Sequence, residues 1–141
     1  MKSNKVWELK KKVLPQHTDH AGVMWHGIYL NWLEESRIYS FAKAGIRYTQ
    51  LLDKGFEMPV YKVEIKYLVP IKIGEEIIIK SSFIINKGPR IKVNSNFTNL
   101  RKKICAEASI DVVLINKENF KVIRKMPNFL NSYLKNLSNG L

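Results

Sequence analysis

The chain has 141 residues, with 24 Lys and Arg against 12 Asp and Glu, a formal net charge of +12 and 45% hydrophobic residues. This balance predicts one globular domain over 1–141, able to bury about 68% of its unfolded surface, and excludes a disordered chain. No apolar run exceeds about four residues, so nothing is expected to span a membrane, and MKSNKVWELKKK lacks a signal peptide's apolar core, which predicts a cytoplasmic protein. The single Cys105 excludes an internal disulfide and a Cys-rich metal site, and reads as a small core hydrophobe.

Residues 6–14 alternate as a first strand, which Pro15 ends. Residues 15–27 form a loop holding Pro15, Gly22, Gly27 and all three histidines, His17, His20 and His26. From Ile28 the period changes to a helical one. Tyr29, Trp32, Leu33, Ser36 and Ser40 share one face, with Ile28, Tyr39 and Ala42 beside it. Gly45 fits the C-terminal stop of a helix over 28–44. A loop or short helix near 47–57 follows.

Four strand signals come next, at 59–69, 76–86, 90–100 and 103–116. In the first, Tyr61, Val63, Ile65 and Tyr67 alternate with Lys62, Glu64 and Lys66, the pattern of a half-buried strand. In the last, Ala106, Ala108, Ile110, Val112 and Leu114 share a side, and small residues at 106, 108 and 109 leave room for the helix. The connections at Ile73-Gly74-Glu75, Lys87-Gly88-Pro89 and Asn99 to Lys102 are short enough for antiparallel hairpins. Residues 119–126 are expected to add a short edge strand, and 129–137 a terminal helix. Strand, helix and four-stranded meander predict an α+β fold, one long antiparallel sheet on one apolar helix.

The chemistry concentrates in one window, Gln16 to Gly27. It holds one of only three Asp residues, Asp19, and it runs into a helix N-terminus. The first N–H groups of a helix lack internal partners and carry partial positive charge. They can hold a carbonyl oxygen that turns anionic during acyl transfer, while a carboxylate attacks the carbonyl carbon or deprotonates a water that does. Gly22 and Gly27 permit tight turns and close approach of backbone to substrate. Three His and one Asp are also zinc ligand types, but their spacing is not one of the regular helical ones.

The stretch HTDHAGVMWHGIYLNWLEESRIYSFAKAG resembles the signature of the hotdog-fold acyl-CoA thioesterases of the 4-hydroxybenzoyl-CoA thioesterase type. Asp19, Gly22, Val23, Met24, Trp25 and His26 fit that pattern in register, and Tyr29, Glu34 and Arg37 match recurrent helix positions. The likeness extends over residues 6 to about 127. It implies a hotdog fold, a long antiparallel sheet wrapped around one central helix. It also implies hydrolysis of an acyl-CoA thioester to a carboxylic acid and free CoA. Asp19 matches the catalytic carboxylate, His26 a helper that places the thioester, and the backbone at His26-Gly27 the oxyanion-binding helix start. The resemblance implies no metal or cofactor, and a homodimer or homotetramer with active sites at the dimer interface. His17 departs from the family, where many members have Asp, and His20 stands where small residues are common.

Gly22, Trp25, Gly27, Tyr29 and Glu34 are candidate substrate-binding residues, with Lys87 and Arg90, beside Lys92, as candidates for the CoA phosphates. Each has a plainer reading. Asp19 can be a turn residue or helix cap, His26 a backbone partner, and Trp25, Tyr29 and Trp32 core. Glu34 can be structural, and Lys87 and Arg90 can be exposed hairpin residues. The acyl group is left open, with 4-hydroxybenzoyl and 1,4-dihydroxy-2-naphthoyl among the possibilities. Rival functions are a catalytically silent acyl-CoA binder, a hotdog dehydratase, and a basic nucleic-acid-binding module. The last needs exposed aromatics among the basic residues, whereas the aromatics here fall mostly at core positions, so neither nucleic acid nor membrane is expected as a partner.

Overall fold

A computed structural model describes residues 6–85 and 88–140. Its first strand, β1 (Trp7–Lys12), leads through a short 3₁₀ turn to a long helix, α1 (His26–Ala44), and a short one, α2 (Tyr48–Asp53). Strands β2 (Phe56–Glu57), β3 (Val60–Tyr67), β4 (Glu76–Ile85), β5 (Arg90–Asn99), β6 (Ile104–Val113) and β7 (Ile115–Asn116) follow, and helix α3 (Asn131–Asn139) closes the described chain. Helix α1 begins at His26, two residues before the expected start at 28. Gly45 ends it as expected, with a left-handed φ of +104° that favours glycine. No helix of the described residues is long and apolar enough to cross a membrane.

The main sheet is antiparallel, in the order β1-β4-β5-β6-β3. The expected four-stranded meander is therefore corrected. Strands β4, β5 and β6 do form one, but Ile73-Gly74-Glu75 is not a hairpin. Strand β3 pairs with β6 at the edge, and residues 68–75 cross the end of the sheet to β4. Packing favours this pairing, because Tyr67 lies opposite Ala106 and Ile65 opposite Ala108, large residues against small. Residues 119–126 make no strand either; only Val122 bridges to Ile115.

Helix α1 crosses the sheet over a row of small residues. Ser81, Ser95 and Ala108 are register partners on adjacent strands, and all are buried. The Ser81 and Ser95 hydroxyls meet at 2.6 Å, Ser36 of the helix reaches Ser81 at 3.3 Å, and the Ser40 hydroxyl donates to the Ser36 carbonyl at 2.7 Å. Buried hydroxyls need partners, and here they supply one another. Ala106 and Ala108 are buried as expected, whereas Ser109 is a register partner of Asn94 and Glu64 on the opposite face. Around the row pack Ile77, Ile79, Phe83, Ile91, Val93 and Phe97. At the far end, Leu134 and Leu137 of α3 are buried, and the Trp7 Nε1–H donates to the Leu137 carbonyl at 2.8 Å.

Apart from Tyr29 against Tyr67, the helix leaves β3 largely uncovered. Of the residues expected to make that strand half-buried, Ile65 alone is; Val63 stays 40% exposed, Tyr61 50% and Tyr67 54%.

Candidate active site

The site loop is a tight reversal. Thr18 and Met24 bridge across it, Asp19 N–H donates to the Val23 carbonyl at 3.0 Å, and Gly22 N–H to the Asp19 carbonyl at 3.1 Å. Gly22 has φ +78°, and a side chain there would have open space, so its backbone conformation is what favours glycine. Asp19 Oδ1 accepts the Ala21 N–H at 2.8 Å, which fixes the carboxylate to its own turn. Oδ2 has no protein partner among the described residues. The side chain is exposed.

The loop is anchored from two sides. Trp25 N–H donates to the His17 carbonyl at 2.9 Å. The crossover segment holds the other side: Met24 N–H donates to the Ile71 carbonyl at 2.7 Å, Val23 bridges to Lys72, and Ile73 N–H donates to the Gly22 carbonyl at 3.0 Å. The hairpin reading of this segment hid its role. A Gly-Glu turn after an apolar run signals a turn but not the surface on which it rests.

Helix α1 starts from Trp25, which is extended at φ −68°, ψ 140° and offers no side-chain cap; no acidic residue lies in the first turn. Ile28 N–H turns back to the Trp25 carbonyl at 3.0 Å, leaving the His26 and Gly27 N–H groups without a partner among the described residues. The Trp25 ring lies across Gly27, where a Cβ would collide with it, and sits 4.8 Å from the His26 ring. Trp25 is half exposed and His26 exposed, so this part of the window faces outward.

The histidines divide by position. His17 is structural: its Nδ1 accepts the Leu14 N–H at 3.0 Å and its ring meets Trp32 edge-on at 5.3 Å. His20 is exposed on the turn. Among the described residues, no group of three or more His, Cys, Asp or Glu is gathered to hold a metal ion.

Tyr29 and Trp32 are buried core. The Tyr29 ring stacks edge-on with Tyr67 at 4.8 Å and tilted with Phe97 at 5.2 Å, so the exposed end of β3 sits beside the helix start. Burial pushes the Tyr29 phenol up to about 12, with Cys105, Tyr67 and Glu75 adding to the shift. Tyr67 is a site neighbour that the alternation of β3 placed only in a strand.

Glu34 is not brought to Asp19 within the chain. It follows His26 by two helical turns, roughly 12 Å, and its exposed carboxylate lies 3.6 Å from the buried Arg37 guanidinium. Lys87 lies outside the described residues. Arg90 is at the opposite end of the sheet from Asp19, separated by the length of β5, about 30 Å, and its guanidinium lies 5.5 Å from the Tyr61 ring centre. Lys92 pairs with Asp111 at 3.0 Å.

Residues 13–134 match the family model described as the thioesterase-like superfamily. A candidate esterase from Synechocystis sp. is 29% identical over 136 residues, 96% of this chain and 82% of that protein. A 1,4-dihydroxy-2-naphthoyl-CoA thioesterase from Synechocystis superposes with a TM-score of 0.85 at 16% identity, covering 94% of this chain and 97% of the other. A Staphylococcus aureus protein solved in complex with CoA gives a TM-score of 0.89 at 11% identity, covering 98% and 87%. At these identities the two structures establish the shared hotdog fold.

Proposed function

The chain belongs to the thioesterase-like superfamily, a family of thioester hydrolases, and from that premise we propose that it hydrolyses an acyl-CoA with Asp19 as the catalytic carboxylate. The observation that carries this reading is the pairing of a turn-fixed carboxylate with an uncapped helix start a few residues later. The thioester carbonyl oxygen accepts from the His26 and Gly27 N–H groups, which are best used when that oxygen becomes anionic. Asp19 Oδ2 either attacks the carbonyl carbon, giving an anhydride that water opens, or takes a proton from the attacking water. In both routes the C–S bond breaks, the sulfur leaves as CoA thiol, and the acyl carbon gains the water oxygen. His26 positions the thioester at the helix start, and Trp25 and Tyr67 supply exposed ring surface for the acyl group. That surface favours an aromatic acyl group of the 4-hydroxybenzoyl or 1,4-dihydroxy-2-naphthoyl kind.

The enzyme works as a dimer. Strand β3 is an edge with an uncovered apolar face, a template for pairing with a second copy. Antiparallel pairing of two β3 edges inverts the ends, so the Tyr61–Arg90 end of one copy lies beside the Tyr67 end of the other. Arg90, remote from Asp19 in its own chain, thereby reaches the neighbour's site, where a guanidinium suits a CoA phosphate.

A steady-state assay of thiol release over a panel of acyl-CoA thioesters tests the assignment. Asp19→Asn keeps the acceptor for Ala21 N–H, so the loop holds its shape while the acid–base and nucleophilic role is removed. Turnover on the best substrate should fall by at least about 100-fold. Rates close to wild type in a variant with unchanged melting would remove Asp19 from the mechanism.

A further inference from the structure

Helix α1 runs 19 residues, so its end at Ala44 stands roughly 27 Å from the start that follows the site loop. Two segments meet at that far end. Helix α2 comes directly after α1, with Ile46 and Leu51 buried. The chain returns after β7 and lays the turn before α3, and α3 itself, against it: Leu130 is buried and Phe129 and Tyr133 are half-buried. The Tyr133 ring lies across the stop of α1, where a Cβ on Gly45 would meet it at 2.6 Å. The Phe129 ring lies 5.9 Å from that of Phe56, tilted by 33°.

Between these segments lies a cavity of about 160 Å³, walled by Ile46, Leu51, Phe129 and Tyr133. Gln50 and Lys54 also line it. They are four residues apart, so they share one side of α2, and both are exposed, which puts them at the mouth. The mouth offers donors. Lys54 Nζ lies 4.7 Å from the Phe129 ring centre, where the ring face attracts its charge, and it forms no ion pair among the described residues. Gln50 Oε1 accepts the Arg47 N–H at 3.4 Å, which leaves the amide NH₂ without an acceptor among the described residues. No acidic side chain is among the described lining residues; Asp53, beside Lys54, is exposed and stands outside the lining.

We propose that this cavity binds a single-ring aromatic carboxylate, with the ring between the apolar walls and the carboxylate on Lys54 and Gln50. Volume sets the size, because an apolar cavity of about 150 Å³ holds one benzene ring. The walls set the body of the ligand, since Phe129 and Tyr133 offer ring faces and edges to another ring. The mouth sets the charge. An ammonium takes a carboxylate in a charge-assisted bond, and the amide NH₂ supplies a second donor for the other oxygen. An inorganic anion would leave the apolar walls unused. Bound there, the ligand bridges α2 to α3 and fastens the clasp on the end of α1. An acid of this class is also what an aromatic thioester releases on hydrolysis, but the binding stands whether or not Asp19 hydrolyses thioesters.

The test titrates the full chain with sodium benzoate at constant ionic strength and follows the Ile46 and Leu51 methyl resonances by NMR. A bound ring is expected to move both, saturably and with one site per chain. Lys54→Met keeps the stem and removes the charge, and benzoate affinity should then fall at least about tenfold. Benzamide, of the same shape without the charge, should bind wild type at least about tenfold more weakly than benzoate. Lys54 is exposed, so the ligand-free variant should melt as wild type does, while saturating benzoate raises the melting temperature of wild type more than that of the variant. No saturable movement up to about 10 mM benzoate overturns the proposal. So does movement confined to Val23 and Met24 of the site loop, or equal affinity in wild type and Lys54→Met. Hexanoate binding as tightly as benzoate overturns the assignment to an aromatic ring.

Discussion

The Asp19 carboxylate commits one oxygen to its own loop, where it accepts the Ala21 N–H at 2.8 Å. A residue held in this way loses little entropy on meeting substrate, which is how a short exposed loop can present a reacting group in one geometry. Tyr29, one turn into α1, shows the opposite environment. Its phenol is neutral at ordinary pH and buried, and its pKa rises from 10.0 to about 12. A pKa raised by folding adds stability that is complete below pH 10 and is lost as pH climbs through about 12. Wild type should therefore lose about 2 kcal/mol more than Tyr29→Phe between about pH 9 and about pH 12 in denaturant melts. Parallel curves for the two proteins would show that Tyr29 does not titrate in this way. At this scale the sequence was informative. A scarce Asp, two glycines and an aromatic before an apolar helix located the loop. The Asx turn and the ring of Trp25 across Gly27 depend on atomic contacts that residue spacing does not encode.

Among the elements, α1 and β4 to β6 were legible from period alone, because a buried stripe or an alternating face is a local signal. Strand β3 was legible as a strand but not in its place. Its choice of β6 over β4 is made by Ala106 and Ala108, some forty residues away. Its apolar alternation promised burial, yet α1 follows the row Ser81–Ser95–Ala108 and leaves the edge uncovered. An alternating pattern states which residues avoid water; it does not state whether the cover comes from the same chain. Placing a charge on that face is the direct probe. Val63→Lys should leave a folded monomer, since Val63 is already 40% exposed in one chain. In sedimentation the variant should move from the mass of two chains to that of one, and its thioester turnover should fall with it. A variant that still sediments as a dimer would move the interface elsewhere. A wild type with the mass of a single chain would remove the shared site.

For the whole molecule, the five strands are not equal in how far their partners lie along the chain. Strands β4, β5 and β6 pair with sequence neighbours, whereas β1 meets β4 across some seventy residues and β3 meets β6 across some forty-five. Loop closure grows costlier with separation, so local pairings form before distant ones. The central three strands should therefore be in place when the folding barrier is crossed, and the two flanking strands should dock afterwards. Substitutions in the β5–β6 hairpin, such as Val93→Ala, should slow refolding. Ile65→Ala in β3 should mainly speed unfolding, as measured by stopped-flow chevrons. Equal effects of the two on refolding would contradict this order. The crossover between β3 and β4 thus has a temporal side. The segment that clasps the site loop is tethered to one of these late strands and the loop itself follows the other, so the chain holds a formed central sheet before it holds a formed candidate site.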